Sequence, residues 1–301
     1  MRLGIWLLII GGASVFGDHA WAATTQPLPA ASSSSARPRN LVQNGGFEAG
    51  DKIPTGWLIR YPRVDLSELT DIRVLDNLTL FWDTTHSTSG KCIKMDTDLN
   101  QGEVHKRMEE LIANPDAPPW RKTPTKPPKY DTVAGLEGVS LWSEPIPVEK
   151  GKMYRVSVDA MGQIEGMLFF PKLFVRGFAM EKDARGRTVK KKVYETYVAC
   201  RVSESGRWYH FTQTFSPTDN TPSVIEMSVV LYAYWPPGVY YWDNIELTEV
   251  PEAEAAAIRA AKEKQKPPAK QEEPRPTPRK HKPGESFSVE EAEPMELPVK
   301  K

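Results

Sequence analysis

Strict alternation of polarity in two long segments limits what this chain can become. "KMYRVSVDAMG" sets Tyr154, Val156, Val158 and Ala160 on one side and Arg155, Ser157 and Asp159 on the other. "VIEMSVVLYAYW" sets Ile225, Met227, Val229, Leu231 and Ala233 against Glu226, Ser228, Tyr232 and Tyr234. A period of two is the signature of a strand with one buried face, because successive side chains leave a strand on opposite sides. "RWYHFTQTFS" and "VYYWDNIELTEV" share the same β-branched and aromatic character. Between Asn40 and Val250, helix-forming residues gather in "QGEVHKRMEELIANP", which closes on an Asn-Pro stop. Strands without interspersed helices predict an all-β fold, a sandwich of two sheets. The helical segment opens a mainly irregular, partly helical insertion, about Leu99 to Gly138, which includes the Pro-rich "PDAPPWRKTPTKPPKYD".

Composition changes at both ends of this β-rich segment. Met1-Arg2 precede "LGIWLLIIGGASVF", a run shorter than the ~20 apolar residues a bilayer span needs. Ala20 and Ala22 then supply small residues at the minus-three and minus-one positions of a cleavage site. Residues 1–22 read as a signal peptide. The expectation is an exported chain, secreted, periplasmic or at the cell surface, with no transmembrane segment after cleavage. Residues 23–39, "ATTQPLPAASSSSARPR", read as a flexible leader. After Pro251, "EAEAAAIRAAKEKQK" has the helix formers and Glu/Lys spacing of a short exposed helix. From there to Lys301 the chain is rich in Pro, Lys and Glu, and too poor in apolar residues to offset the entropy of ordering, so the tail is expected to be disordered. Residues 40–250 have the size of one domain.

Charge narrows the partners. Lys and Arg number 39 and Asp and Glu 39, so the chain carries no basic excess of the kind a nucleic-acid binder needs. The cysteines are Cys92 and Cys200. An oxidising compartment would permit a disulfide between them; two buried free thiols fit the sequence equally well.

The segment that starts the β region, "LVQNGGFEAGDKIPTGW", carries a further pattern. Asn44, Gly45, Phe47, Glu48, Gly50, Pro54, Gly56 and Trp57 are followed by "HSTSGKCIKMD", then by "VSLWSEPIPVEKGKMYRVSVDA", then by "GVYYWDNIEL". In this order the four stretches resemble the CenC-like carbohydrate-binding modules of families four and nine, over about Asn40 to Glu249 apart from the insertion. The resemblance implies a galactose-binding-like jelly roll. It also implies a structural calcium bridging Glu48, backbone carbonyls of the turn near Ser89 to Lys91, and Asp243. Hard oxygen ligands of this kind suit calcium; the same carboxylates could instead serve as acceptors for backbone N–H groups.

Such a fold hosts many functions, so the ligand has to be read from side chains. Sugars stack on aromatic rings and are bridged by polar groups. Tyr232 and Tyr234 alternate away from the apolar face of their strand. "MLFFPKLFVRGFAM" places Phe170, Lys172, Phe174, Arg176 and Phe178 opposite Phe169, Leu173 and Val175. With Asp159 on the non-core side of its strand, Tyr232, Tyr234, Phe174, Arg176 and Asp159 are expected to form an aromatic and polar cleft if their strands share a sheet. The competing expectation is that the insertion covers this face. Trp82, Trp120 and Trp142 are assigned to loops or strand ends, and Trp57 to packing.

No catalytic residues are assigned. Glycosidases need two carboxylates at a set separation, and no such pair is evident on neighbouring strands. His-Glu-x-x-His, Gly-x-Ser-x-Gly and Cys-x-x-Cys are missing. "EVHKRMEE" reads as a solvated helix face before a metal group. The expected function is non-catalytic binding of a polysaccharide or surface glycan. A structural or protein-interaction module of the envelope, reaching a partner through its tail, is the alternative; a glycoside-acting enzyme is the third reading.

Overall fold

The structure, a computed structural model, describes residues 38–61, 70–88, 90–120, 132–133, 137–163 and 171–265. The expected signal peptide, most of the expected leader, the body of the Pro-rich insertion and the tail after Gln265 lie outside the described residues. In chain order the elements are β1 (Trp57–Tyr61), β2 (Thr70–Ile72), β3 (Leu80–Asp83), β4 (Cys92–Asp96), α1 (Gln101–Ala113), β5 (Val139–Ser143), β6 (Ile146–Pro147), β7 (Tyr154–Gln163), β8 (Lys172–Lys182), β9 (Thr188–Ala199), β10 (Tyr209–Phe215), β11 (Glu226–Ala233), β12 (Val239–Glu249) and α2 (Glu252–Gln265). A seven-stranded sheet runs β2-β1-β5-β11-β8-β9, with β6 also on β11. A five-stranded sheet runs β10-β7-β12-β4-β3. The pairings among these strands are antiparallel. From β9 to β12 each successive strand crosses to the other sheet, the exchange that makes a sandwich a jelly roll.

The alternating segments explain the layers. Leu141, Leu173, Val175, Val229 and Leu231 point inward from the seven-stranded sheet and meet Ile93, Met95, Val156, Val158 and Trp242 from the five-stranded one in a single buried cluster. Burial of these side chains is the main stabilising term, on the order of 1.5–3 kcal/mol each before ordering costs. Ile225, on the apolar parity of its segment, lies just before β11 and is exposed.

The opening stretch closes the sandwich against β12. Leu41 N donates to Leu247 O at 2.7 Å, Ile245 N to Gly45 O at 3.0 Å, and Leu247 N to Asn40 Oδ1 at 2.9 Å. These contacts surround a β-bulge, where the register with β7 shifts between Asp243 and Glu246. Asn244 supplies the left-handed residue there, with φ of 50°, a conformation Asn tolerates better than most side chains. The bulge lets both Trp242 and Ile245 face the core. Phe47 is fully buried and its ring centroid lies 5.0 Å from that of Trp57.

α1 begins at Asn100, whose side chain accepts from Gly102 N, and ends at Asn114 before Pro115. Val104, Met108 and Leu111 join the main core. Arg107 is buried too; its guanidinium donates to Asp76 O, Ala117 O and Pro118 O and pairs with Glu110. One side of this helix is therefore packed, while Glu103, His105, Glu109 and Glu110 stay exposed or half-exposed on the other. Trp142 is the next-to-last residue of β5 and is buried. Trp82 lies in β3 and is half-buried.

The two cysteines do not pair. Both are free and buried. Cys92 faces outward from β4 into a small cluster with Met161 and Tyr241, whereas Cys200 sits in the main core. Opposite placements relative to the five-stranded sheet rule out a bond without rebuilding the fold.

Candidate functional site

The outer face of the seven-stranded sheet carries the aromatic side chains. Leu58, Trp142, Val230, Phe174 and Tyr197 stand side by side across β1, β5, β11, β8 and β9. One step along the strands lie Ser140, Tyr232, Lys172 and Ala199; one step the other way lie Ser228, Arg176 and Glu195. Leu58, Trp142, Phe174, Phe178 and Val230 form a second buried cluster with Tyr232 packed on it. The face is thus a small core with an aromatic rim.

Tyr232 and Tyr234 stack with centroids 5.5 Å apart and planes 20° apart. Both are half-buried. Tyr232 Oη donates to Glu137 O at 3.0 Å, and burial raises its pKa above the usual phenol value. Gly138 lies against the same ring, so the end of the insertion meets the face here. Phe174 is 8% exposed, which makes it part of the floor rather than an open stacking surface. Its neighbours, Tyr197 at 5.5 Å and Tyr232 at 5.7 Å, cover its edges. Phe174 thus belongs to a second small core, beside the rings of Tyr197 and Tyr232. Phe170 lies outside the described residues.

Arg176 is already engaged. Its Nε donates to Glu195 Oε2 at 2.8 Å, and its guanidinium lies 4.9 Å from the centroids of both Trp142 and Phe174. Burial works to raise the Glu195 pKa, but hydrogen bonds and charge from Lys192 and Arg176 outweigh it and hold the carboxyl below its usual range. Asp159 does not join this face. β7 belongs to the five-stranded sheet, where Asp159 bonds His210 Nδ1 at 2.7 Å and accepts from Asn244 Nδ2 at 2.8 Å. The condition that all these strands share one sheet fails for β7.

Tyr197 was not among the expected site residues, although the residue is 47% exposed on the same face. Lys172 sits between the rings, 4.9 Å from the Tyr197 centroid, 5.2 Å from Tyr234 and 6.0 Å from Phe174. The Tyr194-Thr196-Val198 alternation in "TVKKKVYETYVA" marks this strand and gives Tyr197 the outward parity, but three successive lysines obscure it.

Glu48 and Asp243 grip one turn from two directions. Glu48 Oε1 accepts from Lys91 N at 2.9 Å. Asp243 Oδ2 accepts from Thr88 N at 3.2 Å, Thr88 Oγ1 at 2.8 Å and Ser87 Oγ at 3.4 Å, while Oδ1 accepts from Asn244 N at 2.7 Å. Burial raises the Asp243 pKa against these hydrogen bonds. Among the described residues neither carboxylate has a cationic side chain in salt-bridge contact, and no three His, Cys, Asp or Glu side chains converge as a metal group. Ser89 lies outside the described residues. Burial, with the charges of Asp83, Asp243 and Glu48, pushes the Cys92 thiol up to about 12, and burial raises Cys200 as well, so neither is a thiolate near neutral pH.

Fold and face together define a class: an antiparallel β-sandwich of the jelly-roll kind, with aromatic and cationic side chains on one outer face. No protein-family model and no curated protein matches the sequence. Among solved structures the chain is similar to a family 16 carbohydrate-binding module, at 15% identity and a TM-score of 0.35, over 69% of this chain and 99% of that one. It is similar to the CBM22-1 xylan-binding domain of Paenibacillus barcinonensis Xyn10C, at 12% identity and 0.36, over 72% and 98%. A CBM4 structure matches at 13% identity and 0.30, over 65% and 96%.

Proposed function

We propose that this chain is an exported, non-catalytic protein that binds glycan on the outer face of its seven-stranded sheet. The observation that carries the reading is the open ring of Tyr197 beside Lys172 and the stacked Tyr232–Tyr234 pair, borne by or flanking strands that do not have to move. Tyrosine rings on rigid strands present a flat apolar surface with a polar tip and lose little entropy on contact. Asp71 and Glu195, two carboxylates near this face, are engaged by Arg60, Arg176 and Lys192, which suits binding better than proton transfer. Export rests on residues 1–22 alone. Tyr197→Ala and Tyr234→Ala should each weaken polysaccharide binding by roughly 1–3 kcal/mol, with the thermal midpoint nearly unchanged. Affinity electrophoresis against a panel of soluble polysaccharides measures this. Wild-type affinity that survives both substitutions would place the ligand elsewhere.

Calcium is proposed for the turn held by Glu48 and Asp243. Their hard oxygens match its preference, and backbone carbonyls would complete the ligand set. The buried Asp243 carboxylate gains most from a nearby cation. A ligand that binds the folded state alone raises stability by mass action. EDTA should therefore lower the melting temperature of metal-loaded protein, and excess calcium should restore it; superimposable melts would remove calcium from the account.

A further inference from the structure

The cations on and beside the outer face of the seven-stranded sheet are not equivalent. Arg60 pairs with Asp71 at 3.2 Å, and Arg176 and Lys192 both reach Glu195 at 2.8 Å. Lys172 contacts no carboxylate among the described residues. Its ammonium instead stands among Tyr197, Tyr234 and Phe174, within 6.0 Å of all three ring centroids. Ring faces attract the charge but accept hydrogen bonds weakly. An ammonium has three donors and no acceptor, so this site holds a positive charge in place and leaves its donors for an incoming group.

Resting on the glycan-binding reading above, we infer that the face selects anionic polysaccharide, with Lys172 receiving a carboxylate or a sulfate ester while Tyr197 and Tyr234 flank the sugar that bears it. The chemistry explains the arrangement. A neutral sugar needs rings and neutral donors, and gains nothing specific from a fixed charge. An acidic sugar presents an anionic oxygen at the edge of its ring, where a lysine between two tyrosines can meet it. Charge-assisted hydrogen bonds are shorter and about twice as strong as neutral ones. Tyr234 and Tyr197 also flank the ammonium itself, so less of its freedom is lost on binding. Placing Lys172 in β8 directly opposite Tyr232 and Ala199 fixes the charge relative to the stacking rings.

The test compares each acidic polymer with its neutral form. Polygalacturonate is set against carboxyl-reduced polygalacturonate, and carrageenan against desulfated carrageenan, using the full mature chain. The acidic member of at least one pair should bind roughly tenfold more tightly. Which pair shows the gap tells carboxylate from sulfate. The gap should close in about 1 M NaCl, where the Debye length is about 3 Å. Lys172→Gln and Lys172→Met should erase it at an unchanged melting temperature, and Lys172→Arg should keep most of it. Equal binding of charged and neutral forms by the wild-type protein would overturn the inference and leave glycan binding intact. So would a gap that survives in both uncharged variants. Failure of every polymer to bind would sink this inference and the glycan reading together.

Discussion

Gly45 and Gly46 are adjacent and chemically identical, yet the fold uses them differently. A Cβ on Gly45 would collide with the carbonyl oxygen of Ile245, an atom of the β12 bulge. The turn and the strand must approach this closely for Ile245 N to donate to Gly45 O at 3.0 Å. A Cβ on Gly46 would find its nearest neighbour at 4.0 Å, the flexible Glu48 side chain. Gly45→Ala should therefore destabilise the protein by about 3 kcal/mol, because backbone has to shift, and Gly46→Ala should stay within about 0.5 kcal/mol. Urea denaturation of the two variants checks this. Equal midpoints would mean that the turn can move off β12 without cost. Asn44 and Phe47 flank the pair with φ of 53° and 60°, so the stretch concentrates backbone conformations that side chains seldom adopt.

At the scale of elements, legibility followed burial. β7, β8 and β11 bury one parity deeply, and their residues alternate visibly in the sequence. β9 is an edge strand with mostly exposed or half-exposed side chains, so burial imposes little pattern on it. Its lysines also suit an edge, where charge discourages pairing with another chain. They find carboxylates instead: Lys190 with Glu226 and Lys191 with Glu181. The turn before β9 was readable in principle, since Asp183 accepts from Arg185 N and Arg187 N, and Gly186 takes φ of 75°. Sheet membership was not readable. Asp159 alternates correctly with Val158 and Ala160, but nothing local tells a strand which of two sheets it will join, because that depends on pairings tens of residues away. The candidate site was legible as a set of outward aromatics and cations. Which of them stay open was not, since exposure depends on neighbours such as Glu137 and Gly138 that meet the face only in three dimensions.

The whole molecule buries more than one apolar layer. Besides the core between the sheets, the seven-stranded sheet carries the Leu58, Trp142, Phe174, Phe178 and Val230 cluster outside, and the five-stranded sheet carries Cys92, Met161 and Tyr241. Antiparallel sheets commonly leave one face to solvent, so these outer layers need a separate account. On the seven-stranded sheet, Arg60 and Arg176 supply part of it, lying 5.0 and 4.9 Å from the Trp142 centroid. Their stems shield apolar surface while the charged heads stay paired. This arrangement separates two kinds of aromatic residue on one face. Phe174→Ala should open a cavity beneath Tyr197 and Tyr232 and cost about 3 kcal/mol of stability. Tyr197→Ala removes a half-exposed ring from an edge strand and should cost less than about 1 kcal/mol. Urea unfolding gives both values, and polysaccharide affinity measured on the same samples gives the complementary pattern, with Tyr197 the larger loss per molecule folded. A Phe174→Ala protein that keeps its unfolding midpoint while losing affinity would reverse the assignment, making Phe174 a contact of the ligand and the outer layer a surface rather than a core.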